Sequence, residues 1–310
     1  MPEPTSMSMS NYRSLLAFSW AMVALAVVSA VGLLVDDRVL LGAPIWLKPL
    51  KFSVSLAAYG LTLAWMLSRR SGPSRTATWA ARTVVATALI EMVIIVGQTV
   101  RGRPSHFDVA TPLDRTLFRT MGGSIAVLWI ATLVIAILLF RTQLGDRATT
   151  WAIRLGAAIA LVGLALGGLM LLPTPEQHAQ QAAGLLPTAI GAHSVGVPDG
   201  GPTLPLTGWS ATGGDLRIPH FVGMHALQAL PLFLYGIEAL ARRRPRLRDE
   251  RVRSLRLAGF PRCRLSRRGA CGGRRRCAGL SAAVTGLRGR YARLLRFTSG
   301  IPPPPTRPLP

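Results

Sequence analysis

Six long apolar runs divide the first 240 residues of the chain, and few charged residues interrupt them. A helix of about 20 apolar residues, rising about 1.5 Å per residue, crosses a hydrocarbon core of roughly 30 Å. The chain is 50% hydrophobic and only 16% charged, which is typical of a membrane protein. We therefore predict an all-α, polytopic transmembrane helical bundle with about six spans, at residues 15–35, 46–67, 83–100, 122–140, 151–172 and 218–240.

The first apolar run, residues 15–35, has two interpretations. Val28, Ser29 and Ala30 form a small-residue site of the kind at which secretory signals are cleaved. However, the run continues past that site, and Arg13 alone makes a weak positive region before it. The pattern favours a helix that is retained in the membrane.

The positive charge of the chain is concentrated at its C-terminal end. The net charge of +23 would suggest nucleic-acid binding if it were spread evenly. Residues 241–310 carry 20 arginines against two acids, which gives +18, and residues 1–240 carry the remaining +5. We therefore expect no nucleic-acid partner, and we divide the chain into an N-terminal segment (1–14), a transmembrane domain (15–240) and a basic tail (241–310).

The basic tail allows three interpretations. It is rich in arginine, contains no lysine and shows no sustained apolar periodicity. It is either a polybasic segment that binds anionic lipid, a disordered segment, or a frameshifted translation of GC-rich DNA. Its three cysteines are poorly spaced for zinc, and the transmembrane domain contains none.

Arginines are concentrated in alternate loops. Loop 68–82 contains four and loop 141–154 contains three, whereas loops 36–47 and 173–217 contain one each. Arginine-rich loops stay in the cytoplasm, so we predict a multi-pass protein of the bacterial inner (cytoplasmic) membrane with both termini in the cytoplasm. Loop 101–121, with four arginines, departs from this pattern.

Some local features can also be predicted. Gly163 and Gly167 form a small-residue face suited to close helix contact. Thr174, followed by Pro175 and by Gln177, has the pattern of a capped helix start, which predicts a short surface helix within the longest loop. Pro231 interrupts the backbone hydrogen bonds of the sixth span.

Polar and ionisable side chains gather near the predicted outer ends of three spans. Lys48 and Lys51, about one helical turn apart, are the only lysines in the chain. Two of its five histidines, His220 and His225, open the sixth span. We predict an outward-facing polar pocket that binds a ligand or protons and is formed by Lys48, Lys51, Glu91, Gln98, Arg101, His106, Asp215, Arg217, His220, His225 and Gln228.

Glu91 lies near the middle of the third span, where a charged side chain costs roughly 2.5 to 3.5 kcal/mol on insertion. The carboxyl is therefore expected to be protonated or paired. Arg101 is about 15 Å further along the helix, too far for contact. We predict that Glu91 pairs with Lys51 or with His225.

Each of these residues also has a structural interpretation. The lysines would place their charges at the membrane interface, Glu91 would be a buried structural carboxyl, and the arginines would be solvated at the rim. Asp215 would cap the sixth helix, and the two histidines of that helix would pack with satisfied nitrogens. The functional interpretation gains weight because all candidates enter from one side of the bilayer.

The spacing of the histidines does not enforce a metal or haem site. His220 and His225 are five residues apart, so their rings lie about 140° apart around the helix. A metal site would need His106 and Asp215 in addition, and no spacing enforces it. A haem site lacks a second ligand of this kind, because no second histidine occurs within another span. We therefore predict no cofactor and no catalytic residue.

Three blocks, residues 46–52, 103–107 and 213–228, resemble those of an uncharacterised family of bacterial multi-pass integral membrane proteins. The resemblance covers about residues 15–240 and not the tail. It implies a multi-pass membrane fold and supplies no mechanism.

Three classes of function follow from these observations. The leading interpretation is a membrane protein that binds or transports a small anionic solute or protons through the outer pocket. The second is a membrane-embedded haem or metal redox enzyme that uses His106, His220 and His225. The third is a non-catalytic subunit whose polar groups contact a partner helix in a membrane complex. Beyond the lipid bilayer and such a ligand, the sequence specifies no partner and no oligomeric state.

Overall fold

The computed structural model describes residues 9–205 and 207–243. The chain in these ranges is mostly helical, and its α-helices are α1 (Arg13–Val35), α2 (Leu47–Ser68), α3 (Arg75–Arg101), α4 (Pro112–Phe140), α5 (Arg147–Leu166), α6 (Pro175–Ala182) and α7 (Arg217–Arg243). Two short antiparallel pairs accompany them, β1 (Val39–Leu40) with β2 (Ala43–Pro44) and β3 (Ser194–Val195) with β4 (Gly214–Asp215). The predictions about the basic tail concern residues outside the described ranges, apart from the last turn of α7.

The predicted all-α bundle is confirmed. Among the described residues, six helices are long and apolar enough to cross a membrane. They are α1 to α5 and α7, and each includes most of one predicted span. The N-terminal segment is not separate from the bundle in its described part, because Met9–Tyr12 form a 3-10 turn and the Tyr12 side chain is buried.

Two helices begin well before the predicted spans, by about two turns or more. α3 begins at Arg75 rather than residue 83, and α4 begins at Pro112 rather than residue 122. Charged residues in these first turns end the apolar run, but they do not end the helix. Ser74 caps α3 by accepting the N–H of Ala77, and Thr111 caps α4 with proline at its first position.

The last turns of the fifth span also differ from the prediction. The α-helix ends at Leu166, and Gly167–Leu171 continue as a 3-10 helix. The short surface helix is confirmed as α6, where Thr174 and Gln177 form the predicted capping box. In α7 the helix continues through Pro231.

The helix ends meet in two groups. At one end, Arg38 donates a hydrogen bond to the Val100 carbonyl, which joins the loop after α1 to the end of α3. At the other, Arg69 at the end of α2 donates to the Tyr235 hydroxyl in α7. We call the first the outer end; its loops are residues 36–46, 102–111 and 183–216. The chain enters α1 and leaves α7 at the opposite, inner end.

The pairs α1–α2, α3–α4 and α5–α7 make the closest contacts of the bundle. The predicted small-residue face forms the α5–α7 contact. A Cβ atom on Gly163 would lie 2.5 Å from the carbonyl carbon of Gly223, far inside van der Waals contact. The two backbones therefore approach closely only because both residues are glycine.

The outer loops pack on one another. The backbone N–H of Val109 donates to the Thr188 carbonyl at 3.0 Å, and Ile190 donates to Phe107 at 2.9 Å. These bonds attach the 183–216 loop to the 102–111 loop, so the outer end of α3 and the residues that precede α7 are held together.

Candidate functional site

Four polar residues on α2 connect this helix to the outer loops, to α7 and to α4. We call Lys48, Lys51, Ser55 and Tyr59 the α2 stripe; their spacing of three and four residues places them on one face of the helix. The stripe contacts the outer loops, α7 and α4, through the pairs Lys48–His106 (3.0 Å), Lys51–Thr207 (3.0 Å), Ser55–His225 (3.4 Å) and Tyr59–Thr132 (2.5 Å).

At the outer end of the stripe, the half-buried Lys48 approaches Nδ1 of His106. An ammonium has no acceptor, so it donates and Nδ1 accepts. His106 also packs beside the ring of Phe52, at 5.8 Å between centroids. Burial, followed by the positive charge of Lys48, holds the pKa of His106 well below its usual value. A neutral His106 is thus the form that accepts from Lys48.

Lys51 and Arg217 bind neighbouring carbonyls of the same loop. Lys51 donates to Thr207, and Arg217 donates to Gly208 at 2.6 Å. Arg217 also forms an ion pair with Asp215 at 2.6 Å. Burial tends to raise the pKa of Asp215, but its hydrogen bonds, above all those from Arg217, keep that pKa below the usual value. The loop that precedes α7 is therefore fastened over this part of the site.

Asp215 also serves the start of α7, as its structural interpretation predicted. Its Oδ1 accepts the backbone N–H of Arg217 at 2.9 Å, and Oδ2 accepts the N–H of Ser210 at 2.7 Å. Both carboxylate oxygens thus have partners within the loop and the first turn of the helix. Asp215 forms an ion pair with Arg217, and among the described residues neither lysine lies within salt-bridge distance of a carboxylate.

The α7 histidines contact different helices. His220 lies with Nδ1 2.7 Å from the Gly163 carbonyl of α5, so Nδ1 donates, whereas His225 faces Ser55 on α2. Gln228 interacts with the His225 ring, and its Oε1 is buried without a hydrogen-bond partner among the described residues. The separation of about 140° expected from the helical spacing is consistent with these two different neighbours.

The predicted pairing of Glu91 is wrong. Glu91 is 2% exposed, and its Oε1 accepts a hydrogen bond from Ser124 on α4. The cation with which its carboxyl interacts is Lys48, not Lys51 or His225. The pairing differs because Lys51 donates to Thr207 and His225 lies beside Ser55. The hydrogen bond to the Glu91 carboxyl comes instead from a hydroxyl of α4.

Gln98 and Arg101 belong to a different cluster, contrary to the prediction that they line the pocket with Glu91. Both donate to Asp114 in the first turn of α4, Gln98 at 3.0 Å and Arg101 at 2.8 Å. Arg103 and Thr111 bind the second carboxylate oxygen, at 2.9 and 2.6 Å. We call these five residues the Asp114 cluster.

The prediction of the site omitted Asp114, although the sequence carries a signal for it. A threonine three residues before an acidic residue, at the start of an apolar run, is the pattern of a capped helix. Thr111 and Asp114 fit that pattern, and the backbone N–H of Asp114 donates to the Thr111 hydroxyl. The pattern predicts the cap but not the side chains from α3 that converge on the same carboxylate.

The remaining candidates extend from the outer loops inward along α2, α3 and α7. Lys48 interacts electrostatically with Lys51, Glu91 and Arg217, and His106 interacts with His220 and His193. We call the predicted residues other than Gln98 and Arg101 the outer cluster: Lys48, Lys51, Glu91, His106, Asp215, Arg217, His220, His225 and Gln228. Within the described ranges, no group of three or more histidine, cysteine, aspartate or glutamate side chains is arranged to hold a metal ion.

Comparison of the chain with family models, with curated proteins and with solved structures found no match. The family resemblance noted from the three sequence blocks therefore stays a prediction. The fold and the outer cluster define a class: a multi-pass helical membrane protein with a group of cations and histidines at one end of its bundle.

Proposed function

We propose that the protein lies in a bacterial inner membrane, with the outer end of the bundle facing away from the cytoplasm, and that it binds a small anionic solute at the outer cluster. The observation that supports this most directly is the state of the two lysines. Within the described ranges, neither Lys48 nor Lys51 lies within salt-bridge distance of a carboxylate.

The charge balance of the cluster supports an anion. Asp215 is bound to Arg217, so these two charges compensate each other. Glu91 is the remaining carboxyl that interacts with Lys48, and it does so without an ion-pair contact. Two half-buried ammonium groups that repel each other are costly. A carboxylate, sulfate or phosphate group between them would relieve that repulsion and accept charge-assisted hydrogen bonds.

Titration of the purified full-length chain in detergent with sulfate tests the proposal. We expect saturable binding that weakens at least about tenfold in Lys48→Met and in Lys51→Met, since a hydrogen bond to a charged group contributes about 1.5–3 kcal/mol. Arg75→Gln is the matched control, because it removes one positive charge from an exposed position at the inner end. Equal affinity in all four proteins, or no sulfate binding, would overturn the proposal.

An anionic lipid headgroup carries the same chemistry as a soluble anion. The sulfate titration is therefore repeated in nanodiscs of phosphatidylcholine alone and with added phosphatidylglycerol. Undiminished sulfate affinity with the anionic lipid supports a solute site, whereas competition would assign the site to a headgroup. Flux of labelled sulfate into liposomes then distinguishes a carrier from a binding protein.

A further inference from the structure

Glu91 is a buried acid with one oxygen in use and one without a partner. Its side chain lies about 15 Å from the outer end of α3 and is 2% exposed. Oε1 accepts from the Ser124 hydroxyl, while Oε2 has no hydrogen-bond partner among the described residues. A carboxylate oxygen that is buried and unpaired is costly, and a proton on that oxygen removes the charge responsible.

Among the residues that the structure describes, Lys48 is the cation that acts on the Glu91 carboxyl. From α2, Lys48 interacts with the carboxyl, while Lys51 is bound to Thr207. From α7, His225 is directed to Ser55. From the outer loop, His106 accepts from Lys48 itself. The ionised form of Glu91 therefore depends on the ammonium of Lys48.

The other two helices that pack on α3 add no free charge near Glu91. α1 carries one charged residue, Arg13, which lies at its inner end. α4 offers Ser124 to the carboxyl, and its charged residues are confined to its outer turns. Of these, Asp114 is bound by Arg101.

From this arrangement we propose that each anion bound at Lys48 and Lys51 is accompanied by one proton bound at Oε2 of Glu91. An anion that neutralises Lys48 removes the cation that favours the ionised carboxyl, and its own charge repels that carboxyl. The proton comes from the solvent and forms an O–H bond at Oε2, and no other bond is made or broken. The site thereby takes up an anion and a proton together, as a proton-coupled site does.

This inference rests on the proposed anion site, and linkage makes it reciprocal. If the anion favours protonation of Glu91, then protonation of Glu91 strengthens anion binding by the same factor. One linked proton changes the affinity by up to about tenfold per pH unit, with tighter binding at lower pH. Protonation of the cluster histidines acts in the same direction, so the experiment must separate Glu91 from His106, His220 and His225.

Proton counting by calorimetry makes that separation. Sulfate, which stays fully ionised over the range in which histidines titrate, is titrated into the full-length chain in two buffers of different ionisation enthalpy. We expect wild type to take up about one proton more per sulfate than Glu91→Gln. Glu91→Gln retains the three histidines, so their share of the uptake is the same in both proteins.

A measurement on the wild type alone guards against a variant that fails to fold. Infrared difference spectra with and without sulfate should show a new C=O stretch of a protonated carboxyl. If sulfate binds but this band is absent and proton uptake does not depend on Glu91, the coupling proposal fails and the anion site stands. If sulfate does not bind to the wild type, the anion site fails first.

Discussion

Nζ of Lys48 lies 3.0 Å from Nδ1 of His106, which joins the start of α2 to the loop after α3. Each residue sets the state of the other. The ammonium requires an unprotonated nitrogen as its acceptor, and a second positive charge at this distance would be strongly repelled. The pair is thus arranged to hold a cation on α2 and a neutral ring in the loop.

The Lys48–His106 pair predicts acid sensitivity. The pKa of His106 is held below its usual value of 6.5, so the unfolded chain binds a proton at a pH where the folded protein does not. The free energy of unfolding should therefore be independent of His106 above about pH 6.5 and should fall as the pH is lowered below it. His106→Gln should show a smaller loss of melting temperature between about pH 7.5 and pH 5.5 than wild type.

His178→Gln provides the control for that measurement, because His178 is exposed on α6. Its melting temperature should depend on pH as that of the wild type does. A pH dependence that is unchanged in His106→Gln would show that another group causes the acid sensitivity.

The proposed orientation of the bundle predicts which positions a membrane-impermeant maleimide reaches in intact cells. Exposed positions at the outer end, Val39 and Leu186, should be labelled when replaced by cysteine, and Ser71 at the inner end should be labelled only after lysis. The background replaces Cys263, Cys271 and Cys277 with serine. The reverse pattern would invert the proposed orientation and place the outer cluster on the cytoplasmic side.

The Asp114 cluster should matter for stability and not for anion binding. Asp114→Asn removes a carboxylate that is 1% exposed and that binds two arginines. We expect a loss of about 2 kcal/mol or more, seen as a melting temperature lower by roughly 4–8 °C. Asp37→Asn, at an exposed position of the same end, should change it little. If Asp114→Asn lowers the sulfate affinity as much as Lys48→Met does, the Asp114 cluster contributes to the binding site and this prediction is wrong.

The glycine contact between α5 and α7 should be intolerant of a methyl group. Gly163→Ala forces the two backbones apart, and overpacking of this kind costs about 1–3 kcal/mol. Gly168→Ala is the matched control, since a Cβ there meets no atom within 4 Å. Thermal unfolding in detergent compares the two, and equal melting temperatures would contradict the role of the glycines.

The number of spans was predictable because a helix that crosses lipid must be long and apolar, so each span appears in the sequence as one long apolar run. The starts of α3 and α4 were not predictable from hydropathy. Hydropathy locates the boundary of the apolar run, and each of these helices begins with polar turns before that boundary. Arg75 and Pro112 lie in polar first turns that caps at Ser74 and Thr111 support. Those caps are visible in the sequence once the helix is known to extend that far.

The site was predictable where one helix carries it. The residues of the α2 stripe follow one another at steps of three and four, which put them on one face of a helix, and their hydrogen bonds lie along that face. Glu91 and Gln98, seven residues apart, also share one face of α3, yet their hydrogen-bond partners differ. Ser124 and Asp114 both come from α4, and the rotation of α4 against α3 is a tertiary property that neither helix encodes alone.

The hairpin of α3 and α4 is fastened at two levels, by the Asp114 cluster at its outer end and by the Glu91–Ser124 bond deeper in the membrane. These two sets of contacts hold α3 and α4 together. The contacts on the other side are weaker, because α7 meets α2 through hydrogen bonds such as Ser55–His225 and packs mainly on α5. If the proposed site opens to admit a solute, we expect α5 and α7 to move together relative to α3 and α4, since α7 packs mainly on α5.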